Sequence, residues 1–171
     1  MAQGDLVQRM LGAATLNIDT FEEVEADETA TMQAAAVVAM VAVASTIGGM
    51  GDGNTSLFFA PVAQILGWLI WAGVTYLIGD KIFGGTATWG ELLRTLGFAQ
   101  SPGLLYLLAF LPMVGFFIRL VVPFWMLWAG IVAIRQALDF STGKAVLTAI
   151  IGWLAMIIPA MILGGLVAFG P

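Results

Sequence analysis

The sequence predicts an all-α integral membrane protein, a five-span helical bundle with amphipathic interfacial helices at its N-terminus and between its second and third spans. Three observations carry that prediction. Of 171 residues, 60% are apolar and 10% charged, and the mean hydropathy is +0.98, whereas about a quarter of a soluble domain is charged. Apolar runs recur from Ala30 to Phe169, most of them near the ~20 residues that cross a hydrocarbon core as helix. Threaded as spans, they leave Arg9, Lys81, Arg94, Arg135 and Lys144 on one side and only Arg119 on the other. Short loops rich in Lys and Arg stay cytoplasmic. A multi-pass protein of the cell (inner) membrane is expected, with its N-terminus in the cytoplasm and its C-terminus outside.

Composition narrows the chemistry. Cysteine and histidine are absent, which removes disulfides, thiol nucleophiles, His/Cys metal ligation and the side chain best suited to proton transfer near neutral pH. No cofactor, metal or enzymatic activity is expected. The net charge is −5, yet six of the eleven carboxylates fall between Asp19 and Glu28, so acidity belongs to the tail and not to the bundle. Nothing basic enough to hold a nucleic acid stands out. No basic cluster precedes an early apolar run and Ala2 stands where an acylated glycine would be, so neither a cleaved signal nor a lipid anchor is expected.

Residues 1–28 read as a cytoplasmic amphipathic and acidic segment, and 29–171 as the membrane domain. From Asp5 to Leu16, Leu6, Val7, Met10, Leu11 and Ala14 share one side at helical spacing, a helix expected on the inner leaflet. Thr20 to Glu23 fits a capping box and Asp27 a cap for the first span, about 30–50. That span holds small pairs four apart, Ala35/Ala39, Ala44/Gly48 and Ser45/Gly49, which let helix backbones approach closely. The glycine-rich loop Gly51 to Ser56 turns outside, and the second span covers about 57–79. After Gly84-Gly85, Thr88 to Glu91 forms another capping box. It opens an interfacial helix over 88–100, with Trp89, Leu92, Leu93 and Leu96 facing the membrane and Glu91, Arg94, Thr95 and Gln100 mostly opposite.

Residues 103–138 are nearly unbroken apolar sequence, and one helix of that length would reach about 54 Å. A turn near Arg119 divides it into a third span, about 102–117, and a fourth, about 121–138. The fifth covers about 145–169, with Pro159 inside. Trp68 to Gly73 and Trp125 to Gly130 share the pattern Trp-x-x-Trp-Ala-Gly, as an internal duplication would. Trp68, Trp71 and Trp153 lie mid-span and are expected to pack helices, while Gln33 and Gln64 are amides suited to hydrogen bonds between spans.

Asp80, Lys81, Arg94, Arg135 and Asp139 fall at one depth on the inner side. They form a candidate polar cluster for a lipid head group or an anionic partner, or they pair with one another at the interface.

Several motifs together resemble the prokaryotic branch of the Yip domain family, named for Ypt/Rab-interacting proteins. They are Phe21-Glu-Glu-Val-Glu-Ala-Asp27 before an Ala-rich span, Gly67-Trp-Leu-Ile-Trp-Ala-Gly-Val-Thr-Tyr-Leu-Ile-Gly79, Gly90-Glu-Leu-Leu-Arg-Thr-Leu-Gly-Phe-Ala-Gln-Ser-Pro102 and Arg135-Gln-Ala-Leu-Asp139. The resemblance covers nearly the whole chain. It implies five spans and a cytoplasmic N-terminus, and for eukaryotic relatives it implies binding of Rab-type GTPases and of partner Yip proteins. Those relatives carry a long cytoplasmic N-terminal region that is not seen here, so a GTPase partner is the implication this chain least supports. The expected role is a membrane adaptor or scaffold that associates with membrane lipids and with itself or another membrane protein. The alternative is a small transporter, channel or lipid-moving protein. Ionisable residues in mid-membrane usually mark a transport path, and their scarcity here favours the adaptor.

Overall fold

A computed structural model describes residues 5–50 and 59–169. The outer-loop assignment of Gly51 to Ser56 lies outside the described residues. Seven α-helices follow in order: α1 (Leu6–Ala14), α2 (Ile18–Ala26), α3 (Ala30–Gly49), α4 (Phe59–Tyr76), α5 (Trp89–Phe98), α6 (Val114–Ala137) and α7 (Thr142–Phe169). Helix α4 ends in a π-helical turn, Leu77–Ile82, and a 3-10 segment, Ser101–Leu108, follows α5.

The N-terminal helices are set by local chemistry. Leu16 takes a positive φ of 63°, which reverses the chain and makes Asn17 the cap of α2, its side chain accepting from the Thr20 amide at 3.3 Å. The capping box read at Thr20 to Glu23 is thus displaced, because the helix has already begun. Asp27 closes the junction into α3, accepting from both the amide and the hydroxyl of Thr29 at 3.0 and 2.6 Å. The second capping box forms as the spacing predicts, Thr88 accepting from the Glu91 amide and Glu91 from the Thr88 amide.

Three helices are long and apolar enough to cross a membrane: Ala30–Gly49, Pro61–Ile82 and Val114–Ala137. Helix α7 adds 28 residues. The region between α4 and α6 departs most from expectation. Helix α5 does not lie on a surface, since Leu92, Thr95, Leu96 and Phe98 are fully buried. It continues into the 3-10 segment, and the two run parallel to α3 along its length. A Cβ built on Gly97 would sit 2.8 Å from that of Ala34, one on Gly103 2.6 Å from a Val41 methyl, and one on Gly48 would strike the Tyr106 carbonyl. Glycines therefore bring the two backbones together at three successive levels.

Ten α-helical residues and eight 3-10 residues rise about 15 and 16 Å, some 31 Å in all. The composite matches one hydrocarbon thickness of about 30 Å. Because a 3-10 helix advances about 2.0 Å per residue, this run reaches the Gly48 end of α3 by Ala109. The turn consequently falls before Val114, with Met113 at φ 62°, and not near Arg119. Helix α6 then runs unbroken through Arg119, whose guanidinium donates to the carbonyls of Gly48 and Ala109 at 3.1 and 3.2 Å. The helical segments here are Trp89–Phe98 with Ser101–Leu108, and Val114–Ala137.

The tryptophans divide by role. Trp71 is buried between α6 and α7, filling the space left by Gly130 and Gly152, and the Trp68 indole donates to the Leu93 carbonyl at 3.2 Å. Their counterparts in the repeated motif, Trp125 and Trp128, are 37% and 57% exposed. The two copies of Trp-x-x-Trp-Ala-Gly are thus used differently.

Candidate functional site at the charged end of the bundle

Charged side chains gather at the end of the bundle where α2, α5 and the turns after α4 and α6 meet. Arg9, on α1, is 2% exposed. It donates to Glu23 at 2.8 Å, to Asp27 at 2.6 Å and to the Gln33 side chain at 2.9 Å. One guanidinium therefore ties α1, α2 and α3 together with charge-assisted bonds, which are shorter and stronger than neutral ones. Gln33, expected to bond between spans, is spent on this arginine instead. The acidic run shared by Glu23 and Asp27 was the available signal for a partner to Arg9, but which carboxylates turn toward α1 depends on the Leu16 reversal.

Arg94 does similar work from α5. It is 6% exposed, and its guanidinium donates to the carbonyls of Val24 at 3.0 Å and Glu25 at 3.1 Å. These carbonyls belong to the last turn of α2, where unsatisfied acceptors and the negative end of the helix dipole favour a cation. The polar face of α5 is thus turned toward α2 and not toward water. At the other end of the hairpin, the Trp125 indole donates to the Ala14 carbonyl at 2.8 Å. Trp125 is midway along α6, so the end of α1 is held on the flank of the bundle.

The five residues of the expected cluster have the following partners. Lys81 pairs with its neighbour Asp80 at 2.6 Å, and its ammonium stands 5.5 Å from the Tyr76 ring. Asp139, at φ 52°, accepts from the Thr86 hydroxyl at 3.3 Å, which joins the turns after α4 and α6. Arg135 is half-buried and makes no bond to the other four. Arg94 is committed to α2. Of the four residues assigned to the membrane face of α5, only Trp89 is exposed, its ring edge-on to Tyr76 at 6.3 Å. Leu92 and Leu96 are core and Leu93 packs against it.

The electrostatics at this end are mixed. Burial pushes the Glu25 carboxyl above its usual range, and nearby Glu91, Asp139 and Glu22 push it further, with Arg94 offsetting part of the effect. Hydrogen bonds from Thr29 and Arg9 hold Asp27 down at about 2. Asp19 and Glu22 remain exposed along α2 and Glu28 just beyond it, Glu22 accepting from the Gln136 amide at 2.8 Å. Among the described residues no group of three metal-ligating side chains occurs. The outer side of α2 presents carboxylates, on a helix bonded to the bundle through Arg9 and Arg94.

The Yip1 domain model matches residues 16–163. No curated protein matches the chain, and no solved structure does.

Proposed function

The chain belongs to the Yip1 domain family, and from that premise we propose that it is a non-enzymatic scaffold of the cell membrane that recruits partners at its charged end. It is a multi-pass membrane protein with apolar helices able to span a bilayer. In the proposed arrangement it crosses five times, through α3, α4 with its π-helical turn, α5 with the 3-10 segment, α6 and α7. The excess of Lys and Arg at the charged end supports a cytoplasmic N-terminus. One observation carries the reading: Arg9 and Arg94 fix the α1–α2 hairpin on the bundle, so the exposed carboxylates of α2 are held in a constant geometry. A surface held so suits docking of a basic segment from itself or another membrane protein.

Two measurements test this. Mild extraction should recover the protein with itself or a second membrane protein, and purified protein in liposomes should give no solute flux or lipid flipping above empty vesicles. Flipping that scales with protein copies and falls on substitution of Arg135 or Asp139 would instead support a lipid-moving role. Since the chain has no native cysteine, Asn54→Cys and Thr86→Cys report the orientation cleanly. They should label from opposite faces, and labelling of both from outside would remove the proposed topology.

A further inference from the structure

Four segments leave a cavity of about 210 Å³ between them: α4, the stretch from α5 into the 3-10 segment, α6 and α7. It lies near mid-depth, because Gly103 meets both Met126 in its wall and Val41, close to the middle of α3. Its walls are Trp68, Trp71, Tyr106 and Trp153, with Pro123 and Met126 beside them. No ionisable carboxylate, lysine or arginine lines it.

Two amides give the cavity its polar character. The Gln64 side chain donates to that of Gln100 at 2.7 Å. Such a pair spends one N–H and one oxygen, so whichever amide donates, one carbonyl oxygen and one NH₂ group are left over. Neither remaining group has a partner among the described residues, and neither has the Tyr106 hydroxyl. Gln100 is itself 2% exposed and lines the cavity beside Gln64. The Trp71 N–H in the same wall is likewise without an acceptor. Ordinary helix packing accounts for a satisfied Gln–Gln bond. It does not account for a space beside it with room for about seven waters at ~30 Å³ each.

We propose that this cavity binds an uncharged, lipid-soluble aromatic ring bearing carbonyl or hydroxyl oxygens, a head of the quinone or quinol type. Three features select that class. Three indoles and a phenol in the lining favour a flat ring stacked or edge-on. The leftover NH₂ and phenol can donate to ring carbonyls, while the leftover amide oxygen can accept from a ring hydroxyl. An ionised head group would have no counter-charge at this depth, which disfavours phospholipid phosphates. The site is separate from the charged end, so it stands or falls independently of the scaffold reading.

The test uses the purified full chain in detergent, titrated with a short-chain decyl-benzoquinone, and reads tryptophan fluorescence. Three of the six tryptophans line the cavity, so quenching should saturate with roughly half the emission lost. Gln100→Leu and Gln64→Met should each weaken binding about tenfold, the equivalent of one hydrogen bond, at unchanged helicity. Trp128→Phe, which alters an exposed indole away from the cavity, should leave the affinity unchanged. Should Gln100→Leu fail to fold, Gln64→Met carries the comparison, because Gln64 is only half-buried. Quenching that rises linearly without saturation, or that is equal in the wild type and both glutamine variants, would overturn the proposal in favour of partition into the micelle. Displacement by a long-chain alkyl alcohol as readily as by unlabelled quinol would also overturn it, since no ring would then be required.

Discussion

Helices α1 and α5 look alike in sequence and are used in opposite ways. Both are about ten residues long, both interleave apolar residues with a few polar ones, and each carries a single arginine. Yet Val7 and Leu11 of α1 are 56% and 62% exposed, whereas Leu92 and Leu96 of α5 are wholly enclosed. Both polar sides are met within the protein; the difference lies in what meets the apolar side. On α5, Arg94 finds the carbonyls that end α2, and the Thr95 hydroxyl finds the Glu91 carbonyl at 2.9 Å. With the Arg94 and Thr95 side chains bonded inside the protein, the helix can leave the surface at a reduced desolvation penalty. On α1, Arg9 is answered equally well, but the helix lies on the flank of the bundle with Trp125, so its outer apolar residues face whatever surrounds the protein. Amphipathic periodicity therefore reports two chemistries on two sides; it does not say that one of them is water.

The comparison breaks most readily at its apolar residues. Leu96→Glu would place a carboxylate where no cation or donor waits, and such a group costs several kcal/mol or forces the helix out. The expected outcome is loss of the folded, monodisperse protein on size-exclusion chromatography. Leu11→Glu changes a residue that already faces outward and should leave the bundle folded, weakening only the hold of α1 on the membrane. Equal losses from the two substitutions would show that α1 and α5 are buried alike. Thr95→Glu does not serve as a mild control, since Thr95 is as fully buried as its apolar neighbours.

A smaller effect tests the arginine of α5. Arg94→Met keeps the length and apolar stem of the side chain but leaves the Val24 and Glu25 carbonyls unanswered. Hydrogen bonds to a charged group contribute about 1.5–3 kcal/mol, so α2 should open more often by about that amount. Amide exchange should accelerate over Ile18–Ala26 and remain slow in α3. Unchanged protection in α2 would mean that Arg9 alone holds the hairpin.

The pattern of the sequence made the helical class, the membrane setting and the capping box at Thr88 legible, because each rests on residues adjacent in the chain. The continuous run of α5 into the 3-10 segment is not legible. Its α5 half reads as too polar to be buried until α2 is known to cover Arg94, and its 3-10 half reads as too short until the longer 3-10 rise is known. Nothing in the residues 101–108 announces a 3-10 helix. Likewise, Asp80, Lys81 and Asp139 were read at one depth from their places at span ends, but their pairings depend on the π-helical turn and on the left-handed Asp139. Gln64 was legible as a bonding amide; its partner Gln100 was not, since it was assigned to a face expected to meet the cytoplasm.

The smallest effect concerns the two carboxylates of the α2 hairpin, which burial and pairing drive in opposite directions. Glu25 is raised by burial and by Glu91, Asp139 and Glu22, so between its ordinary value of 4.5 and its folded value the native state holds more proton than the unfolded chain. By linkage, stability falls as pH rises through that window and stays lower above it. Glu25→Gln removes the ionised form, so the variant should be more stable than the wild type at pH 7, with the difference vanishing below about pH 4.5 where both side chains are neutral. Asp27 behaves in the reverse sense: held at about 2 by Thr29 and Arg9, it contributes stability above its ordinary value of 3.8 that is lost as pH falls toward 2. Asp27→Asn should therefore be less stable at pH 7 and should converge on the wild type at low pH. Thermal midpoints in detergent, taken from pH 7 down to pH 3, distinguish the two. If both substitutions shift the midpoint in the same direction at pH 7, the hairpin is not docked through Arg9 and Arg94 as described.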